Sequence, residues 1–119
     1  MTLQELILRF IRGEADWRDL REHGLRIAFT EAEQVTVSGQ SGAVVRPSIR
    51  DIACGLIKHK ADASRLRQWA SVILAVNEID MKALGGNVIG EVFLEALWDA
   101  AHGDDVEDTA FSLAEKSCQ

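Results

Sequence analysis

The chain has 119 residues, a length typical of one domain. Hydrophobic residues make up 47% and charged residues 27%, a balance that excludes a disordered tail. Thirteen Lys and Arg against 19 Asp and Glu give a net charge of −6, which argues against a dedicated nucleic-acid-binding domain. No uncharged stretch approaches the roughly 18 apolar residues of a membrane span.

The start of the chain and its cysteines predict a location in the cytoplasm. The first residues lack the basic start and apolar run of a signal peptide. Cys54 and Cys118 are too few for a disulfide framework and lack metal-ligand spacing. We therefore expect a reducing compartment, with Cys54 as a small, free residue near a contact between helix and sheet.

Two helices are predicted in the first part of the chain. Thr2 and Glu5 have the spacing of a capping box, and apolar residues follow at helical intervals, which predicts a helix over about 2–12. A shorter helix is expected over about 15–22, with Trp17 on its inner side.

The periodicity then changes to alternation with β-branched residues, which is typical of strands that bury one face. Strands are predicted over about 25–29, 34–38 and 43–46, the last two separated by turn-forming Ser and Gly residues. We interpret them as a small antiparallel sheet of two or three strands that depends on the helices for stability.

Everything after Pro47 is predicted to be helical. The expected helices are about 49–60 with Ser48 as cap, 64–76 with Asp62 or Ser64 as cap, 88–102 opening at Asn87, and 105–116 behind an Asp104 and Glu107 capping box. The predicted fold class is α+β, a mostly helical single domain over 1–119.

Charge is unevenly divided along the chain. Residues 45–67 carry six Lys or Arg against two Asp, whereas residues 77–119 carry ten acidic residues against two Lys. One interpretation is a set of solvated helix faces that partly pair with each other. The other is an acidic surface for a basic partner, whose field would speed association and fix orientation.

The longest predicted helix bears on the choice between solvated helix faces and a partner-binding surface. At 100° per residue, Glu91, Glu95, Trp98 and His102 cluster opposite its apolar stripe, with Asp99 beside them. If another element covers Trp98, the tryptophan belongs to the core. If Trp98 is exposed, a tryptophan ringed by carboxylates is a candidate binding hot spot.

Candidate catalytic and metal sites lack the residues that their chemistry requires. Asp99 and His102 have the spacing of a carboxylate–histidine metal pair, but no second pair completes a site. Cys54 and His59 lie five residues apart, so on one helix they point about 140° away from each other. The glycines form no phosphate-binding loop. We therefore expect no enzyme activity, no cofactor and no metal.

Two stretches resemble a known class of proteins. The run 90–103 and the run 66–70, Leu-Arg-Gln-Trp-Ala, look like family signatures, and the chain resembles the small bacterial immunity proteins encoded beside secreted toxins in contact-dependent inhibition and related systems. The resemblance implies a short, acidic, cytoplasmic protein of mixed helix and strand, without catalytic residues, that binds a toxin.

The leading hypothesis is a protein-binding inhibitor that occludes the basic active surface of a partner, plausibly a toxin nuclease. The predicted partner-binding residues are Glu91, Glu95, Trp98, Asp99, His102, Asp104 and Asp105. One alternative is a nucleic-acid-associated regulatory module that uses the basic segment 46–67, with Arg50, Lys58, Lys60, Arg65 and Arg67 as its contacts. A third is a non-catalytic oligomeric scaffold.

Overall fold

A computed structural model describes residues 2–29, 35–38 and 44–119. Its helices are α1 (Leu3–Ile11), α2 (Trp17–Glu22), α3 (Ile49–His59), α4 (Ala63–Ala75), α5 (Val88–Ala101) and α6 (Asp108–Cys118), with a 3₁₀ turn at Lys82–Leu84. The strands are β1 (Arg26–Phe29) and β2 (Val35–Ser38). The described chain is mostly helical and forms one compact unit, as the sequence predicts.

Side-chain caps fix the beginnings of α1, α3 and α4. The Thr2 hydroxyl accepts a hydrogen bond from the Glu5 backbone, and the Glu5 carboxylate accepts one from the Thr2 backbone, so the predicted capping box is confirmed. Ser48 caps α3, and of the two candidates for α4 it is Asp62 that accepts from the helix backbone. These caps fix the residue at which each helix begins, and therefore which of the following apolar residues face the core.

Asp51, in the first turn of α3, links this helix to the end of α1. Its carboxylate accepts hydrogen bonds from the Ser48 backbone at 2.8 Å and from Arg12 Nε at 2.7 Å. Burial raises the pKa of Asp51, but the hydrogen bonds from Arg12 and Ser48 outweigh it and hold the pKa below its ordinary value. The carboxylate is therefore ionised at neutral pH and holds two helices together.

The extended structure of the described residues is small. β1 and β2 run antiparallel, with Arg26 opposite Ser38 and Phe29 opposite Val35. The strand predicted over about 43–46 is wrong in its described part: Val45 forms a single parallel bridge with Ile79, in the turn after α4. Turn residues 39–43 of the sequence lie outside the described residues.

α5 begins with an Asn side-chain cap, whereas α6 begins without a side-chain cap. The Asn87 side chain accepts hydrogen bonds from the Ile89 and Gly90 backbone, which opens α5 where the sequence predicts it. The Asp104 and Glu107 capping box is wrong, because Glu107 is itself the residue before α6 and its side chain makes no capping bond. Residues 104–107 are consequently irregular and exposed apart from half-buried Val106.

The core lies where the helices cross. α3 packs along α6, and α4 packs along α5. The largest fully buried side chains of the core include Trp69, Phe93, Ile7, Ile11, Leu20, Ile52, Leu56, Ile73 and Leu97. Among the described residues, no helix has the length and apolar character needed to cross a membrane.

Trp69 and Gly55 hold the crossing of α1, α3 and α4. The Trp69 indole is buried, and its Nε1 donates to the Phe10 carbonyl at 3.2 Å and the Ile11 carbonyl at 3.1 Å, two acceptors at the end of α1. A Cβ on Gly55 would collide with the Ile11 carbonyl and with the indole ring. Glycine is thus required here by close approach of backbone and ring.

We expect Gly55→Ala to lower the free energy of unfolding by about 1–3 kcal/mol, because the added methyl group forces apart a filled crossing. Gly85→Ala is the matched control: its φ is −70°, and an added Cβ would meet only the Lys82 carbonyl at an ordinary 3.5 Å. Urea denaturation of both variants checks this. Equal stability of the two variants would contradict the close packing at Gly55.

The cysteines form a disulfide, contrary to the prediction of free thiols. Cys54 Sγ and Cys118 Sγ are 2.09 Å apart, and among the described residues no cysteine is free. The bond joins α3 to the last turn of α6, and Arg50 Nε donates to the Cys118 carbonyl at 3.2 Å. Cys54 is therefore a covalent anchor for the end of the chain.

Candidate functional site

The candidate site is the outer face of α5. The inner face of this helix is fixed in the core by buried Gly90, Phe93, Ala96, Leu97 and Ala100. Gly90 sits against the Leu84 backbone, where a Cβ would not fit. The inner side of the helix is consequently held in the core, and its opposite side is presented to solvent.

Trp98 lies on that opposite side and is 59% exposed. Of the two interpretations drawn from the sequence, the core position is therefore wrong and the exposed position is correct. Large aromatic side chains are usually well buried, so an exposed indole on a helix is an unusual feature for a domain of this size. It provides a large apolar surface with a polar N–H at its edge.

His102, one turn further on, packs against the Trp98 ring. The two ring centroids are 4.4 Å apart with planes inclined by 35°. His102 Nδ1 lies 2.8 Å from the Trp98 carbonyl oxygen, and since a carbonyl only accepts, Nδ1 is the nitrogen that donates. This contact limits the conformations of the indole before any partner binds.

Carboxylates surround these rings. Glu91 and Glu95 are exposed on the same stripe, and Asp99 is half-buried beside it. Asp104 and Asp105 are exposed in the loop after α5, which is folded back by a hydrogen bond from the Asp104 backbone to the Asp99 carbonyl at 2.8 Å. The structure thus gathers all the predicted partner-binding residues on and just after α5.

Acidic residues dominate this region, and the Arg67 guanidinium lies against Gly103 beside Asp104. Six ion pairs elsewhere in the described residues involve Glu14, Asp16, Asp51, Asp62, Asp80 and Glu115. The segment from Glu91 to Asp108, both included, contains seven carboxylates and no Lys or Arg. We define Glu91, Glu95, Trp98, Asp99 and His102 as the acidic face of α5.

Sequence reasoning missed one member of this surface. Val88 is 82% exposed, and the positions Val88, Glu91, Glu95, Trp98 and His102 are spaced by three and four residues along one side of α5. The signal was present, because Val88 falls on the same angular side as the two glutamates. An exposed apolar residue thus lies at each end of a pair of glutamates.

A cavity of about 750 Å³ lies beside the loop after α5. It lies between the start of α4, the end of α5 and the start of α6, and its lining includes Asp104, Asp105 and Phe111. The Arg67 guanidinium lies across Gly103 at its edge. The loop 104–107 is therefore bounded by an open concave surface.

Three cations of the basic segment 46–67 form ion pairs at the protein surface. Arg46 pairs with Asp80 at 3.4 Å, Lys60 with Glu115 at 3.6 Å and Arg65 with Asp62 at 3.8 Å. A backbone N–H of Lys82 lowers the pKa of Asp80, and Arg46 acts in the same direction. In α4, which would be the recognition helix of a helix-turn-helix, the residues 63–65 are exposed and the buried residues begin at Leu66.

The Asp99 and His102 pair is the candidate that the sequence offers for a metal site. Within residues 2–29, 35–38 and 44–119, no three His, Cys, Asp or Glu side chains converge as metal ligands. Asp99 and His102 both lie on or beside the acidic face without a third ligand.

Comparison with family models, curated proteins and solved structures finds no match for the chain.

Proposed function

We propose that this chain is a protein-binding inhibitor that uses the acidic face of α5 to bind and occlude a basic partner. The observation that carries the proposal is the 59% exposure of Trp98 on a helix face shared with Glu91 and Glu95. The partner class we favour is a toxin nuclease, so that the chain acts as an immunity protein, in keeping with the resemblance of its sequence.

The chemistry of the face suits a surface that normally holds nucleic acid. Carboxylates of Glu91, Glu95 and Asp99 would occupy the positions that substrate phosphates take on a basic active surface. Their negative charge would steer association, while Trp98 would supply the desolvated centre where binding energy concentrates. Binding at that surface would exclude substrate without any chemical step.

A cytoplasmic location belongs to the same proposal, because a toxin must be neutralised in the compartment where it acts. The Cys54–Cys118 disulfide weighs the other way, since disulfides persist mainly in oxidising compartments. A cytoplasmic location therefore requires that the chain folds with Cys54 and Cys118 reduced.

The nucleic-acid alternative receives less support. Of the five cationic residues named as its contacts, Lys60 and Arg65 are paired with the chain's own carboxylates, and Arg50 donates to the Cys118 carbonyl. Phosphate binding would have to compete with these contacts against an overall charge of −6. The oligomeric scaffold has no observation of its own in its favour.

Charge reversal tests the proposal. A tagged Glu91→Lys, Glu95→Lys, Asp99→Lys variant and the tagged wild type are each used in a pull-down from a lysate of the organism that encodes the chain. We expect wild type to retain a basic protein that the variant loses, because the reversed charges repel it. The retained protein is then purified, and its nuclease activity is measured with and without the chain.

The matched control reverses Glu14, Glu22 and Glu115, which are exposed and lie away from the acidic face. It changes net charge by the same amount, and the surface ion pairs it removes contribute little to stability. Retention of the same partner by both variants, or its loss from both, would contradict binding through the acidic face.

A further inference from the structure

The Cys54–Cys118 bond, which the proposed function does not use, ties the last turn of α6 to α3. Contacts at two points show that α6 runs antiparallel to α3. Lys60, directly after α3, lies over the Phe111 ring at 5.4 Å, near the beginning of α6. Arg50, in the first turn of α3, donates to the Cys118 carbonyl at the end of α6. The disulfide therefore fixes the end of α6 that lies farthest from α5.

Few side chains hold α6 in the core besides this bond. Its buried residues are two alanines, Ala110 and Ala114, together with Phe111, and Leu113 is half-buried. An alanine buries little apolar surface, so the gain from burial is small. The ion pair that Glu115 forms with the residue after α3 joins two exposed side chains, and such pairs contribute little to stability. The covalent bond is therefore the strongest single link between α6 and the rest of the chain.

The other helices are held together by contacts that do not involve α6. α5 is anchored in the core through Phe93 and Leu97, and it packs along α4. α1, α3 and α4 meet where Gly55 lies against the Trp69 indole. α6 packs mainly on α3. Loss of α6 would thus uncover one side of α3 and leave the acidic face of α5 in place.

The bond lies at the edge of the core, with a positive charge beside it. Both cysteines are half-buried, and Gln119, which follows Cys118, is exposed. Arg50 precedes Cys54 by four residues, so the two side chains lie on the same side of α3. A nearby guanidinium stabilises a thiolate, the form in which sulfur leaves a disulfide during thiol exchange. The surroundings of the bond therefore favour its opening by a thiol.

We propose that the Cys54–Cys118 bond is a redox latch, which a dithiol reductant opens to release α6 from α3. One thiolate of the dithiol attacks Cys118 Sγ, the bond between the two Sγ atoms breaks, and Cys54 leaves as a thiolate. The second thiol of the reductant then attacks the mixed disulfide and releases Cys118. The dithiol becomes a disulfide, and its two electrons and two protons end on Cys54 and Cys118 as thiols.

Opening of the latch acts on the candidate site through the loop 104–107. This loop is held at one end by the hydrogen bond from the Asp104 backbone to the Asp99 carbonyl, and at the other end by α6. Release of α6 leaves Asp105 held from one side only, whereas Trp98 keeps its place on α5. The consequence for partner binding rests on the proposed function, but the release of α6 does not.

Backbone ¹⁵N NMR relaxation of the full chain tests the latch. The oxidised chain is compared with the chain reduced by dithiothreitol, and then with the same sample reoxidised. We expect reduction to lower the order parameters of α6 from about 0.85 to below about 0.6, the values of rigid and flexible backbone. Those of α4 and α5 should stay near 0.85, and reoxidation should restore α6.

Two variants control this experiment. The double variant Cys54→Ser, Cys118→Ser should resemble the reduced chain and should not respond to dithiothreitol. Lys60→Gln is the matched control, because it removes the ion pair with Glu115 and keeps the disulfide, so α6 should stay rigid in its oxidised form.

Four results would each overturn the latch: a rigid α6 after reduction, loss of order in α4 and α5 together with α6, failure of reoxidation to restore α6, or a flexible α6 in oxidised Lys60→Gln. A partner that binds away from α5, with α6 still released by reduction, would contradict the proposed function alone. The two proposals therefore fail on different observations.

Discussion

Replacing both cysteines by serine is expected to lower the free energy of unfolding by about 2–4 kcal/mol. The disulfide closes a loop with a sequence separation of 64 residues, and cross-linking a loop of that length removes much of the entropy of the unfolded chain. Since domains of this kind are stable by only about 5–15 kcal/mol, the loss is a large share of the total. Urea denaturation of wild type and the double variant measures it.

The helix that we expect to be destabilised most by loss of the disulfide is α6. Its buried residues are Ala110, Phe111 and Ala114, so only one large side chain anchors it deeply in the core. Lys60 supplements this by lying over the Phe111 ring at 5.4 Å. We expect α6 to exchange amide hydrogens faster than α5 in the double variant, because the bond to α3 has been removed.

Wild type treated with a reducing agent is the control for this prediction and should behave like the double serine variant. A folded reduced protein would be consistent with a cytoplasmic location. Denaturation curves that are identical for oxidised, reduced and serine forms would contradict a stabilising role for the Cys54–Cys118 bond.

The second large effect is expected at Trp98. Trp98→Ala should weaken binding of the basic partner by about 2 kcal/mol, or about 30-fold, because a central tryptophan is the residue type that most often dominates an interface. Stability should change little, since the side chain is 59% exposed in the free protein. Isothermal titration calorimetry with the co-purified partner, together with urea denaturation, separates the two effects.

Val88→Ala is the companion variant. Val88 is more exposed than Trp98, but it is smaller and lies at the end of the face, so its truncation should weaken binding less. A Trp98→Ala protein that binds as tightly as wild type would show that the indole is outside the interface. A large loss of stability would show that Trp98 is a structural residue instead.

The helices were predictable because their signals are local. Thr2, Ser48, Asp62 and Asn87 are polar residues placed directly before apolar residues at helical spacing, and each accepts a hydrogen bond from the backbone of the helix it opens. The face of α5 was predictable for the same reason, because angular position on a helix follows from sequence spacing alone.

Other features depend on contacts between distant parts of the chain. Pairing of Cys54 with Cys118 requires α6 to return along α3, which no local pattern reveals. Val45 finds its partner in Ile79 after α4, so an extended segment that looked like a sheet strand makes one bridge. The exposure of Trp98 likewise depends on where neighbouring helices pack, which the angular position of the residue leaves open.

The footprint of the partner on the chain tests binding through α5 most directly. Backbone amide NMR signals of the chain are compared before and after addition of the co-purified basic protein. We predict that the largest changes fall in residues 88–105, with the Trp98 indole signal among them. Changes concentrated on α1 and α3, with residues 88–105 unaltered, would contradict the assignment of α5 as the binding surface.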